Sequence, residues 1–140
     1  MRGPLALRIA NGIGVILFTL FAWFQRNDID PEIYYKPSGI DATLWFVFYL
    51  IIAVMFSLAL FRPVPLWLIV IAAAYCLVEM AMSGPGLYQN LFGEKDFTMT
   101  QVSMSAEDPR VELSREFFGA LIALVAVFLI WLQQRRKSMA

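Results

Sequence analysis

The side chains able to do chemistry in this chain are mostly carboxylates. Glu79 lies within an apolar stretch, 65–83, and an ionisable group in such a stretch is by default a candidate for handling a proton or a cation. Its natural partners are Arg115 and Arg26. The block Gln25-Arg26-Asn27-Asp28-Ile29-Asp30-Pro31-Glu32 clusters oxygen donors of the kind that suit calcium or magnesium. It is not an EF-hand loop: no glycine stands at the sixth position, and the twelfth position from Asp28 is Gly39, not glutamate. Asp30 capping a turn that starts with Pro31 explains the block more simply. Glu112, Arg115, Glu116 and Gly119 share one helical face at offsets of three, four and seven. An ordinary helix start, with acids near the positive end of the dipole, accounts for the same pattern. Cys76 and Met80 are one turn apart and offer sulfur to Cu(I), but apolar packing explains both, so no metal is assigned. The chain has no histidine, glycine-rich nucleotide loop, catalytic triad or N-x-S/T sequon. No cofactor is implied, and an enzyme is the weakest functional reading.

The elements that must position these groups are helices in a membrane. The 140 residues are 60% hydrophobic and only 16% charged, where a soluble domain would be nearer a quarter charged. The apolar residues form four runs long enough to cross a bilayer, at about 6–24, 42–61, 65–83 and 113–132. The predicted fold is all-α: a single-domain, four-helix transmembrane bundle with short amphipathic segments in the outer loops. The first run lacks a small-residue cleavage site and ends in bulky Trp23 and Phe24, which favours an uncleaved span over a signal peptide. Trp45 and Tyr49 stand near the start of the second run, as an aromatic belt would place them. Pro65 suits the first turn of the third helix, and Gly84-Pro85-Gly86 is read as its stop. The outer loop then covers 84–108, with Leu87, Tyr88, Leu91 and Phe92 forming a short interfacial helix. Asp108-Pro109 reads as a cap followed by a helix start. Asn11 with Gly12 and Gly14, and Gly119 with Ala123, are the candidate close-packing positions.

Four spans place both termini on one side. That side holds Arg2, Arg8, Arg62, Arg135, Arg136 and Lys137 and no acid, all in short segments. The positive-inside rule weighs short segments, which puts both termini in the cytoplasm. Ten of the eleven acids fall on the opposite side, and Glu79 lies within a span. Net charge is zero, so bulk charge implies no nucleic-acid partner, and a single cysteine rules out an intramolecular disulfide. Gln25, Asn27, Asp28, Asp30, Glu79, Glu112, Arg115 and Glu116 are expected to meet as one polar cluster at the outer end. Arg115, whose planar fork can serve two acceptors, is expected at its centre.

Two of these stretches look alike to a known family. Phe24-Gln25-x-Asn27-Asp28-x-Asp30-Pro31 resembles the segment after the first span of the small transmembrane protein 220 family. Glu112-x-x-Arg115-Glu116-x-x-Gly119 resembles the segment that leads into that family's last span. Ile29 and Tyr34 depart from the family's usual proline and tryptophan, and Lys36 to Asp41 looks like an insertion. The resemblance implies a four-helix membrane protein and supplies no activity. The expected partners are the lipid bilayer and another membrane protein or a second copy of the chain. The reading is an accessory or scaffold subunit. The alternative is a protein that binds or conducts a cation or proton near Glu79.

Overall fold

The computed structural model describes residues 4–25 and 39–139. Among these residues are four long helices, α1 (Leu5–Gln25), α2 (Gly39–Phe61), α3 (Leu66–Phe92) and α4 (Arg110–Met139), and one 3-10 turn at Gln101–Ser103. All four are long and apolar enough to span a bilayer. Asn27, Asp28 and Asp30, and the turn predicted around Ile33 to Tyr35, lie outside the described residues.

The helices pair as two hairpins, α1 with α2 and α3 with α4, joined mainly where α2 meets α4. Side-chain hydrogen bonds fix which ends lie together. Gln133 near the end of α4 bonds Asn11 in α1, and Gln134 bonds the Val64 peptide between α2 and α3. These contacts define a terminal end. The other, distal end carries the loop from α3 to α4.

The turn at the terminal end follows from its prolines. Arg62-Pro63-Val64-Pro65 cannot continue α2, because a proline ring clashes with the preceding turn and has no N–H to donate. Pro65 opens α3 instead, its carbonyl accepting from Leu68 N at 3.1 Å. At the other boundary of the last helix, Asp108-Pro109 acts as predicted. Leu113 N bonds Pro109 O at 2.9 Å, and Asp108 Oδ1 accepts from Arg110 N at 3.5 Å.

Helix α3 corrects one expectation. It does not stop at Ser83 but runs through Gly84-Pro85-Gly86 to Phe92, so residues 87–92 extend the span and are not a separate interfacial helix. The physical reason is local. Proline removes one amide donor, but glycines on both sides leave room for the ring, and membrane helices tolerate such a loss where neighbours re-satisfy the backbone. Ser83 Oγ donates to Glu79 O at 2.6 Å, and buried Gly86 meets Leu113 of α4 so closely that a Cβ would collide with that side chain. The connecting loop therefore starts at Gly93, whose amide bonds Gln89 O at 2.8 Å, and α4 begins at Arg110, directly after the Asp108-Pro109 signal, and runs on into the span expected from about 113.

Within the α1/α2 hairpin, aromatic rings fill the gap. Phe18 stacks on Phe56 with centroids 5.8 Å apart, and Phe21 meets Tyr49 edge-on at 5.5 Å. Gly14 admits the Phe56 ring, since a Cβ there would lie 2.6 Å from ring carbon Cγ. Around Gly12, which was expected to share this contact, a Cβ would meet nothing within 4 Å. Gly119 admits the Tyr49 hydroxyl, and Ala123 is fully buried.

Candidate functional site

Two polar groupings occupy the distal part of the bundle. The first is centred on Asn90, which is 0% exposed. Its Nδ2 donates to Thr98 O at 2.8 Å and to Ser114 Oγ at 2.9 Å. Its Oδ1 accepts from Thr98 N at 3.3 Å and from Arg110 Nη1. A primary amide has two donor hydrogens and two acceptor lone pairs, so the four bonds use its whole capacity. Arg110 Nη1 also reaches Asp96 O at 2.9 Å, and its Nε donates to Asp108 Oδ2 at 3.0 Å, where Lys95 Nζ joins at 2.9 Å. Ser114 Oγ passes the chain on to Arg110 O at 2.6 Å. The outcome is a loop tied at both ends to one buried amide. Among the described residues no buried side-chain nitrogen or oxygen lacks a partner.

Electrostatics in this grouping follow from the two cations on Asp108. The hydrogen bond from Lys95 holds the Asp108 carboxyl below the usual carboxylate range, desolvation opposes it, and Arg110 adds to the lowering. Charge-assisted bonds of this type are stronger than neutral ones, though Lys95 itself is well exposed and its share is screened by solvent.

The second grouping lies deeper. Glu79 and Tyr75 are one turn apart on one face of α3, close enough to act on each other electrostatically. Asp41 of α2 and Glu116 of α4 are close enough to act electrostatically on Tyr75, and Asp41 acts on Glu79 as well. Tyr75 also packs on Phe48 with centroids 4.5 Å apart and meets Trp45 edge-on at 6.4 Å. Carboxylates from three helices thus lie within electrostatic reach of one tyrosine. No group of three or more acids, cysteines or histidines among the described residues has the geometry to hold a metal ion.

The expected cluster is therefore brought together only in part among the described residues. Glu79 and Glu116 share the Tyr75 neighbourhood. Glu112 is half-buried two turns before Gly119, and Gln25 is half-buried at the end of α1. Arg115 is exposed and makes no ion pair with any described acid. Arg110, five residues earlier, is the arginine that enters a network. Sequence reasoning passed over Asn90, Arg110 and Ser114. A signal for Asn90 was present: the buried residues Ile69, Ala72, Cys76, Ser83, Gly86 and Asn90 continue one seam at intervals of three, four and seven, straight through the proline.

Comparison with known proteins adds a family and no activity. No curated protein and no solved structure matches the chain. Residues 17–132, which take in the second part of α1, all of α2 and α3, most of α4 and both polar groupings, match the description "Transmembrane family 220, helix", and the chain belongs to that family.

Proposed function

We propose that this protein is a non-enzymatic accessory or scaffold subunit that packs on a partner membrane protein. The observation that supports this reading is the built loop at the distal end. Residues 93–109 contain no long element, yet Asn90, Arg110 and Asp108 fix them from below. The loop holds Phe97 and Val102 out from the protein, with Val102 98% exposed. An apolar side chain held outward on an ordered loop is the form of a contact surface. Both termini belong in the cytoplasm on the charge argument, so this surface faces the outside.

A photo-crosslinking residue at Val102, followed by purification in mild detergent and mass spectrometry, tests the reading. The expected product is one stoichiometric adduct with a second membrane protein, lost when Phe97 is changed to Asp. Adducts with lipid alone, on protein that purifies without a partner at native expression, would overturn it. Cysteine at Ser138 should be shielded from a membrane-impermeant thiol reagent in intact cells while cysteine at Lys95 is labelled; the reverse pattern inverts the orientation.

The Tyr75–Glu79 pair with Asp41 and Glu116 favours a second reading, a bundle that binds or conducts a cation or proton. Proteoliposomes should then show a flux that Glu79→Gln abolishes. Equal flux in both proteins rejects it.

A further inference from the structure

We infer that the rings of Tyr88 and Phe92 are the outer bilayer anchor of α3, so that lipid covers this helix through Gly84-Pro85-Gly86 and Glu79 lies deep in the membrane. The partner of this surface is the headgroup zone of the bilayer itself, and the inference stands apart from the scaffold reading.

The first observation is the exposed ridge of α3. Trp67, Val70, Ile71, Leu77, Val78 and Met82 are all more than half exposed and point away from the other helices. The ridge continues without a break into Pro85 and Tyr88, and the first exposed polar side chain along it is Gln89. Ser83, at which the sequence pattern suggested an exit, is buried against α4 and puts nothing polar on the surface. A lipid-compatible surface thus ends at Gln89, six residues later than Ser83.

The second observation is spacing. Trp67 and Tyr88 are the exposed aromatic side chains at the two ends of this ridge, at 64% and 66% exposure. They are separated by about 31 Å at the helical rise, which matches a hydrocarbon core of about 30 Å. Trp and Tyr are favoured at the two membrane interfaces because their rings are apolar and their edges are wet. Tyr88 is braced in that position by Phe92, its centroid 5.1 Å away.

The third is on α4. The contact of Gly86 with Leu113 sets the register of the hairpin, so Arg115 stands near the level of Gly84. Helical side chains lean toward the N-terminus, which for α4 is distal. The exposed Arg115 guanidinium therefore reaches the same zone as Tyr88, as a snorkelling arginine does. At the other end Arg135 lies over the Trp131 ring at 5.0 Å, giving α4 a matching belt.

The consequence concerns Glu79. It is about 13 Å below Tyr88 and about 18 Å above Trp67 along the helix, close to mid-depth. A carboxylate at that depth costs far more than one near the boundary.

Depth measurement by electron paramagnetic resonance tests this. Cys76, buried, is changed to Ala, and a nitroxide is placed at Ala81→Cys, Tyr88→Cys or Val102→Cys in full-length protein in phosphatidylcholine vesicles. Collision with a water-soluble nickel complex should be strong at Val102, several-fold weaker at Tyr88, and lowest at Ala81, where dissolved oxygen dominates. A Tyr88 label as open to nickel as the Val102 label, with the Ala81 label at the boundary, overturns the inference. If Tyr88→Cys does not fold, Pro85→Cys keeps both rings and decides the same way: nickel contact there overturns the inference, and oxygen contact supports it.

Discussion

Where α1 meets α2 the space is filled by rings, among them Phe18, Phe21, Tyr49 and Phe56. In the α3/α4 hairpin many of the buried residues are small, Ala72, Cys76, Ser83 and Gly86 in α3 and Ser114, Ala120, Ala123 and Ala126 in α4, beside the larger Ile69, Val111, Val127 and Ile130. Lipid tails are as apolar as leucine, so neither hairpin gains much from simple exclusion of water. The ring-filled hairpin holds by dispersion over large surfaces and by ring geometry. The small-residue hairpin lets Gly86 lie directly against Leu113 and adds polar bonds at its distal end. The difference teaches that one bundle can use two kinds of contact, and that the side-chain hydrogen bonds at the distal end fall in the hairpin built largely on small residues.

That contrast can be broken at several points. Asn90→Leu should cost most, about 3 kcal/mol, because it strips an acceptor from Arg110 and the partners from Thr98 and Ser114 together. Reversible unfolding in mixed detergent reads the loss; a change under about 1 kcal/mol would show that water replaces the amide freely. Ala123→Leu should cost about 2 kcal/mol by forcing the close hairpin apart, and Gly119→Leu should act likewise by displacing the Tyr49 hydroxyl. Ala123→Leu melting like wild type would mean that the hairpin seam is loose, and Gly119→Leu doing so would mean that the Tyr49 contact with α2 is loose. In the ring-filled hairpin, Gly14→Ala should cost about 1 kcal/mol as Phe56 shifts, while Gly12→Ala, with open space around it, should leave the melting temperature unchanged.

The smallest change that should still be measurable is the dependence on pH. Because the Asp108 carboxyl is held below its ordinary range in the folded chain, its contribution is fully present above that range and is lost as pH falls through the lowered value. Wild type should therefore lose stability on acidification relative to Asp108→Asn, by under about 1 kcal/mol given the exposure of Lys95. Parallel acid profiles would show the pair to be idle.

Much of this was legible in residue order. Four apolar runs give the four helices, and the Asp108-Pro109 and Pro65 signals mark true helix starts, since these depend on local backbone chemistry alone. The end of α3 was misread for the opposite reason. Gly84-Pro85-Gly86 breaks a helix in water, but in a membrane bundle the tertiary contact of Gly86 with Leu113 and the absence of competing solvent keep it wound. That one misreading hid the network, because the stretch around Asn90 was read as a short interfacial helix in the outer loop, whereas Asn90 sits on the buried seam. The choice between Arg110 and Arg115 was not legible from spacing. Both lie at the start of α4, and only the rotation of the helix against α3 decides which one turns inward.

The Gln134 side chain carries a consequence for the order of assembly. Its amide both accepts from and donates to the Val64 peptide, as a neighbouring strand would, and Gln133 beside it reaches Asn11. Those partners are made 70 and 122 residues earlier in the chain. During synthesis the first three helices must therefore enter the bilayer with the Asn11 amide and the Val64 peptide unserved by protein. The last helix acts as a latch that completes them. Until α4 arrives, the three earlier helices stay inserted but unlocked.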